Sequence, residues 1–284
     1  MENNSSQIKE DFNLVQSIHP ATRCKYPDDI IVRNDKNLIS SGDVRIGAGA
    51  ILDAEGDRIR LENGVKINSG VIIEAEDGPV WIAENAVIEA GAIIKGPAYI
   101  GPNSIVRSEA RLSDGVSLGP HCRVGGELSS VILQGYSSKQ HSGYLGNSYL
   151  GSWVNLGAAT DNSDLKNNYK PVSVAINGED INTGSLHVGV FLSDFVRTAI
   201  HTRLNSGTMV GVCCNLFGND FPAKEIPAFT WQGSDGYQSY KFSKALETMK
   251  TIMGRRQRSM TMALEALLKE IHDATAGQRH SFMA

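Results

Sequence analysis

From Ser138 to Pro171 the chain reads SKQHSGYLGNSYLGSWVNLGAATDNSDLKNNYKP. It gathers Lys139, His141, Tyr144, Asn155, Lys166 and Lys170 in one short stretch. An imidazole that titrates near neutrality is suited to take a proton from an attacking amine. Asparagine and tyrosine can hold sugar hydroxyls or a carbonyl, and lysines can hold a phosphate. The residue types alone leave a plainer reading open, since a lone loop histidine is commonly a surface residue. Lys139 fits either a ligand contact or a solvated loop lysine.

The elements that must position these groups are legible upstream. From Ile82 an apolar residue falls on every sixth position: Ile88, Ile94, Ile100, Val106, Leu112, Leu118 and Val124. Four residues after each stands a smaller one (Ala86, Ala92, Ala98, Ser104, Ala110, Val116, Cys122), with Leu128 the larger exception. A period of six matches neither a helix nor a simple strand pair. It matches a chain that runs a short strand, turns a corner and repeats, three strands making one triangular coil of a parallel β-helix. Rougher rungs precede it at Ile46, Leu52, Leu61, Ile67 and Ile73, and Glu74 to Val80 reads as a loop pushed out of a corner. Gly47, Gly101, Gly119 and Gly125 suit tight corners. With coils of about 18 residues, His141 and Asn155, roughly one coil apart, could share an edge.

Size and charge bound the rest. A solenoid of 284 residues counts as one domain with a sizeable core. A net charge of −4 lacks the basic excess of a nucleic-acid binder. Cys24, Cys122, Cys213 and Cys214 show no C-x-x-C spacing, and the adjacent pair would point to opposite faces of a strand. With no long apolar run and no signal-peptide pattern in MENNSSQIKEDF, the expectation is a reduced, cytoplasmic protein without a membrane partner. Three parts are expected: an irregular segment or linker at 1–40, the β-helix at 41–220, interrupted at Thr160–Pro171, and an extension with two helices at 221–284. Phe242, Leu246, Met249, Ile252 and Met253 form one helical apolar face, and Leu264, Leu267, Leu268 and Ile271 a second, with the break at Gly254. These helices should cover the end or side of the prism. His121, His141, His187 and His201 lack short ligand spacing, so no metal is expected.

The segment Ser138-Lys139-Gln140-His141-Ser142-Gly143-Tyr144-Leu145-Gly146, followed by Val154-Asn155-Leu156-Gly157-Ala158, resembles the active-site motifs of a known acyltransferase family. The family is the left-handed β-helix acetyltransferase half of the bifunctional enzymes that make UDP-N-acetylglucosamine. Arg123-Val124-Gly125-Gly126-Glu127, Gly135 to His141, Ser163 to Tyr169, Asn205 to Gly211 and Asn215 to Gly218 extend the likeness to a divergent sugar-nucleotidyltransferase branch. It spans most of residues 100–270. The resemblance implies a mainly β, left-handed parallel β-helix of hexapeptide repeats with a C-terminal helical segment, working as a homotrimer. It implies acetyl-CoA as cosubstrate and an amino-sugar phosphate as acceptor, with His141 as general base and Tyr144, Asn155 and Lys170 binding the sugar. Ala158 and Val212 would offer main chain to the acetyl-CoA arm, and Asp194 stands where the better-known branch has serine, with Ser193 before it.

Two departures qualify this. The arginine and lysine that bind the sugar phosphate in the better-known branch fall here on Ser113 and Ser129, which sends that task to Arg123 or Lys139 or implies another acceptor. Nothing resembles the nucleotide loop of the partner domain, and Gln7 to Leu14 looks like the family's linker, so the chain reads as a free-standing half or a fragment. A separate nucleotidyltransferase is then a candidate partner. Acyl transfer would proceed by direct amine attack on the thioester, with N–H groups near Gly157 or Ala158 stabilising the oxyanion. A non-catalytic trimeric scaffold and an acyltransferase for a different amino sugar remain the alternatives. Arg197 and Arg203 could meet CoA phosphates or simply be surface arginines.

Overall fold

The computed structural model describes residues 38–40, 42–54 and 57–284. The expected linker at Gln7 to Leu14, and Cys24, lie outside these residues. The chain forms two compact units, with the boundary between Ile132 and Leu133.

In the first unit the hexad ladder is the interior of a parallel β-helix. Val80, Ala98 and Val116 are successive Cα partners, eighteen residues apart, as are Val87, Ile105 and Arg123 on a second face. A third face pairs Ile72, Ile93 and Arg111. Every ladder residue from Ile82 to Val124 is buried, and so are the small residues between them. Ser104, the polar member, donates to Gly119 O at 2.9 Å and accepts from Cys122 N at 2.9 Å, so its hydroxyl is satisfied inside the coil. The earlier coils are longer. Ile59 pairs with Val80 and Ile72 with Ile93, twenty-one residues apart, because the corner between Glu74 and Val80 holds extra residues, as expected; Ile51 and Ile72, one coil earlier, are also twenty-one apart. Leu61, Ile67 and Ile73 are buried, but Ile46 stays 44% exposed at its rung.

The corners are built differently from the expectation. Asn85, Asn103 and His121 repeat every eighteen residues with φ of 57°, 57° and 59°, so left-handed backbone at this corner falls to polar non-glycine residues that tolerate it. Gly101 is needed for a different reason: a Cβ there would lie 2.5 Å from Leu118 O on the next coil.

In the second unit the coils resume with one long insertion. Tyr149 pairs with Phe191 and Asp161 with Arg203, forty-two residues apart. The interruption is therefore longer than the polar stretch at Thr160–Pro171. It continues into an antiparallel hairpin, Ser173–Ile176 with Glu179–Asn182. Strand pairing also continues past 220: Glu225–Ile226 adds to Met209–Val210, and Thr230–Gly233 to Asn215–Leu216.

Three helices follow, α1 (Phe242–Gly254), α2 (Met262–Ala274) and α3 (Ala276–Met283). The first two carry the expected faces, α1 ends at Gly254, and Thr261 caps α2 by accepting from Leu264 N at 3.1 Å. Leu267 is the exception, at 52% exposure, and α3 was not anticipated. The helices pack on an aromatic corner. Trp153, Phe195, Cys213 and Phe229, from four successive coils, all have φ between 57° and 65°. That conformation turns their side chains outward, where they join Ala245, Met249, Met253 and Leu268 in one buried cluster. Trp153 stacks on Tyr136 with centroids 4.2 Å apart and on Phe195 at 6.1 Å.

Replacing Trp153 by Ala removes the middle of this ladder. The expected loss is about 3–5 kcal/mol, read as a lower urea midpoint and earlier proteolytic release of the segment from Phe242 onward.

Candidate functional site

The site is assembled around one corner of the second unit. Ser138 bridges in parallel to Asn155, and Asn155 to Arg197, so these three residues form one outward row on successive coils. The coil here is seventeen residues long, which places Asn155 beside Ser138 rather than beside His141. The expected shared edge for His141 and Asn155 is thereby corrected. His141 instead begins a loop that lies against the next corner: Ala159 N donates to Ser142 O at 3.1 Å. A Cβ on Gly143 would lie 2.4 Å from Thr160 O, so this approach requires glycine, and its φ of 114° confirms the need.

His141 is exposed, while Lys139 is 1% exposed and turned into the coil. Lys139 Nζ donates to His141 O at 2.7 Å and to Ser142 O at 3.2 Å. Both sequence readings of this lysine are therefore replaced. It is neither a solvated loop residue nor placed to reach a surface phosphate; it ties down the backbone that carries the histidine. Burial lowers its pKa to about 8, against a smaller opposing pull from Asp161.

Tyr144 and Asn155 both flank this loop. Tyr144 N donates to Asp161 Oδ1 at 2.6 Å, and its hydroxyl donates to Asp164 Oδ2 at 2.8 Å. Asn147 Nδ2 donates to the same Asp164 oxygen at 2.7 Å. Buried Asn162 closes the rung by accepting from Gly146 N and donating to Gly146 O. Sequence reasoning missed Asp161, Asn162 and Asp164 as partners, because Tyr144 and Asp161 are seventeen residues apart where the ladder's period predicts a coil of eighteen. Lys170 sits on the exposed insertion, its N–H donating to Asn168 Oδ1. Lys166 reaches Pro171 O at 3.5 Å.

Of the two main-chain donors considered for an oxyanion, Gly157 N–H is committed to Thr198 Oγ1 at 3.0 Å. Ala158 N–H has no partner among the described residues, and Ala158 O accepts from His201 N at 2.7 Å. An N–H without a partner, one residue before the Ala159 N–H that holds the His141 loop, can serve addition to a carbonyl.

No family model matches the chain. A curated protein does. The chain is similar to the bifunctional sugar-1-phosphate nucleotidylyltransferase/acetyltransferase of Sulfurisphaera tokodaii. The two are 33% identical over 145 residues, which cover 48% of this chain and 36% of that protein. The chain thus matches about a third of its curated relative's length. Among solved structures it is similar to the polysialic acid O-acetyltransferase, at 14% identity and a TM-score of 0.30, covering 72% of this chain and 87% of that one. It is also similar to the Arabidopsis UDP-N-acetylglucosamine acyltransferase, at 13% identity and a TM-score of 0.37, covering 78% and 79%.

The remaining expected positions fall in two places. Ser193 and Val212 line a cavity of about 570 Å³ that Met209, Ile226 and Phe282 help to enclose. Asp194 stands beside it, Oδ1 accepting from Ser152 N at 2.7 Å; desolvation raises its pKa, with that hydrogen bond opposing. Arg123 belongs to the first unit, on a strand of the hexad ladder.

Ser113 and Ser129, also in the first unit, share one partner. Both hydroxyls donate to Asp114 Oδ2, at 2.8 and 2.7 Å, and these bonds lower the Asp114 pKa. The place is a stabilised carboxylate, which repels a phosphate.

Cys213 and Cys214 point apart, as expected. Cys213 Sγ lies 3.1 Å from Met249 Sδ in the corner cluster, and Cys214 Sγ 3.1 Å from Pro227 O within the coil. Burial raises both thiols, Cys214 to about 12. Among the described residues, no group of three His, Cys, Asp or Glu side chains could hold a metal ion, and no helix is long and apolar enough to cross a membrane.

Lys139 gives a pH signature. Between pH 8 and 10.5 the unfolded chain holds a proton on this amine that the native state has lost, so native stability rises with pH. Relative to Lys139→Met, the wild type should gain up to about 3 kcal/mol from pH 7 to 10.5, measured by urea unfolding at each pH.

Proposed function

We propose that this chain is an acyl-CoA-dependent N-acetyltransferase for an amino-sugar phosphate of the glucosamine-1-phosphate type, serving UDP-N-acetylglucosamine and cell-envelope precursor synthesis. The reading rests chiefly on one observation. The exposed His141 rides on a loop whose carbonyls are held by Lys139 Nζ and Ala159 N–H, next to the open Ala158 N–H. The curated relative's acetyltransferase name agrees with it.

In this reading the sugar amine attacks the acetyl thioester carbonyl while His141 removes the amine proton. Ala158 N–H stabilises the oxyanion, and collapse expels the CoA thiolate, which takes up a proton. Tyr144 and Asn155 hold the sugar, Tyr144 being oriented by Asp164. Lys170 contacts the acceptor from the insertion, and Val212, Ser193 and Asp194 border the acetyl-CoA arm. The assembly is a cytoplasmic homotrimer with acyl-CoA between two protomers, and a separate nucleotidyltransferase acts on the product.

A second reading, an acetyltransferase for a different amino-sugar acceptor, is favoured by the Asp114 carboxylate that binds Ser113 and Ser129.

Purified protein with acetyl-CoA and glucosamine-1-phosphate should release free thiol. His141→Ala should lower that rate by roughly 10²–10⁴ and leave acetyl-CoA binding intact. Binding without release points to another amine. If neither occurs, the chain is a scaffold and the catalytic assignment is wrong.

A further inference from the structure

The outward row that contains Asn155 continues to Arg197 on the adjacent coil and then to Asn215. Neighbouring strands lie about 4.8 Å apart, so a ligand seated on Asn155 extends naturally onto Arg197. The Arg197 side chain is half-buried. Its guanidinium makes no hydrogen bond or ion pair among the described residues, and neither does that of Arg255.

Arg255 is brought to this face by α1. Met249 and Met253 of that helix are buried in the same cluster as Phe195, two residues before Arg197, and Arg255 is the C-cap that follows. The next turn sets a third cation against Tyr136, two residues before Ser138. Arg258 Nε donates to the Tyr136 hydroxyl at 2.8 Å, and its guanidinium lies 5.7 Å from the centre of that ring. The two unpaired guanidiniums act on each other: desolvation first, and the like charge of Arg255 second, lower the Arg197 pKa, with the Tyr240 phenol opposing. No carboxylate contributes to this balance. Two cations close enough to repel, without a counter-ion among the described residues, are unfavourable together, and a ligand anion relieves that. Planar guanidinium forks match phosphate oxygens in particular.

We propose that Arg197 and Arg255 form a phosphate-binding site for a small phosphorylated ligand whose other end rests on Asn155. The site supplies what Ser113 and Ser129 do not. It rests on the acetyltransferase reading only for the ligand's identity, because a phosphate here can come from an amino-sugar phosphate or from the 3′-phosphate of a CoA.

The test is calorimetric binding of four probes (glucosamine-1-phosphate, glucosamine, CoA and 3′-dephospho-CoA) to wild type, Arg197→Gln and Arg255→Gln. The wild type should prefer one phosphorylated probe over its unphosphorylated counterpart by roughly 10- to 100-fold. Each substitution should remove most of that preference, and the pair affected identifies the source of the phosphate. Arg255 is exposed, so its replacement should leave the melting temperature unchanged and guard against misfolding at Arg197. Equal affinities in the wild type, no binding of either phosphorylated probe, or a preference that survives both substitutions would overturn the site. His141→Ala keeps the two ideas apart: loss of turnover with the preference retained concerns catalysis alone.

Discussion

Coil-to-coil backbone hydrogen bonding is the constraint on which the rest of the molecule depends. Each short strand can pair only with the strand one coil before and one coil after it, so every residue inherits its neighbours from a fixed register. Inward positions then stack into continuous columns, which explains why Ile82, Ile100 and Leu118 are fully buried in one column. Outward positions stack too, and Ser138, Asn155 and Arg197 become neighbours despite their distance in sequence. Where a coil must carry additional chain, the register survives and the surplus is expelled as a loop, as in the long insertion before Gly189.

The corners turn this scaffold into a platform for other elements. A left-handed backbone residue costs roughly 1–2 kcal/mol when it is not glycine, yet Trp153, Phe195, Cys213 and Phe229 all adopt it. The cost is offset because that geometry presents large side chains outward, where α1 and α2 bury them. The helices are therefore fixed to a wall of the coil by apolar contact. The polypeptide that follows α1 is held to the coil as a consequence, Arg258 Nε donating to the Tyr136 hydroxyl.

Charge is distributed with the same economy. Lys139 is inside, where its amine serves two loop carbonyls instead of a ligand. Asp114 gathers two serines and makes its surroundings anionic in the first unit. In the second, Arg197 has no counter-ion among the described residues. Buried cation, stabilised carboxylate and half-buried guanidinium are thus each placed by the coil that carries them.

The sequence alone determined the period, and with it the parallel β-helix, the identity of its interior columns, the faces of two helices and the segment that carries His141, Tyr144 and Asn155. These are local or strictly periodic properties, so residue type and spacing suffice. Tertiary structure alone decided the direction of Lys139, the partnership of Tyr144 with Asp161 and Asp164, and the outward turn of Trp153. Coil lengths of seventeen, eighteen, twenty-one and forty-two residues coexist, and no local pattern states which one applies. Nor does residue type announce a positive φ at a tryptophan or phenylalanine. Those choices are made by the register of the neighbouring coil and by the helices that cover the corner, both of which exist only once the chain has folded.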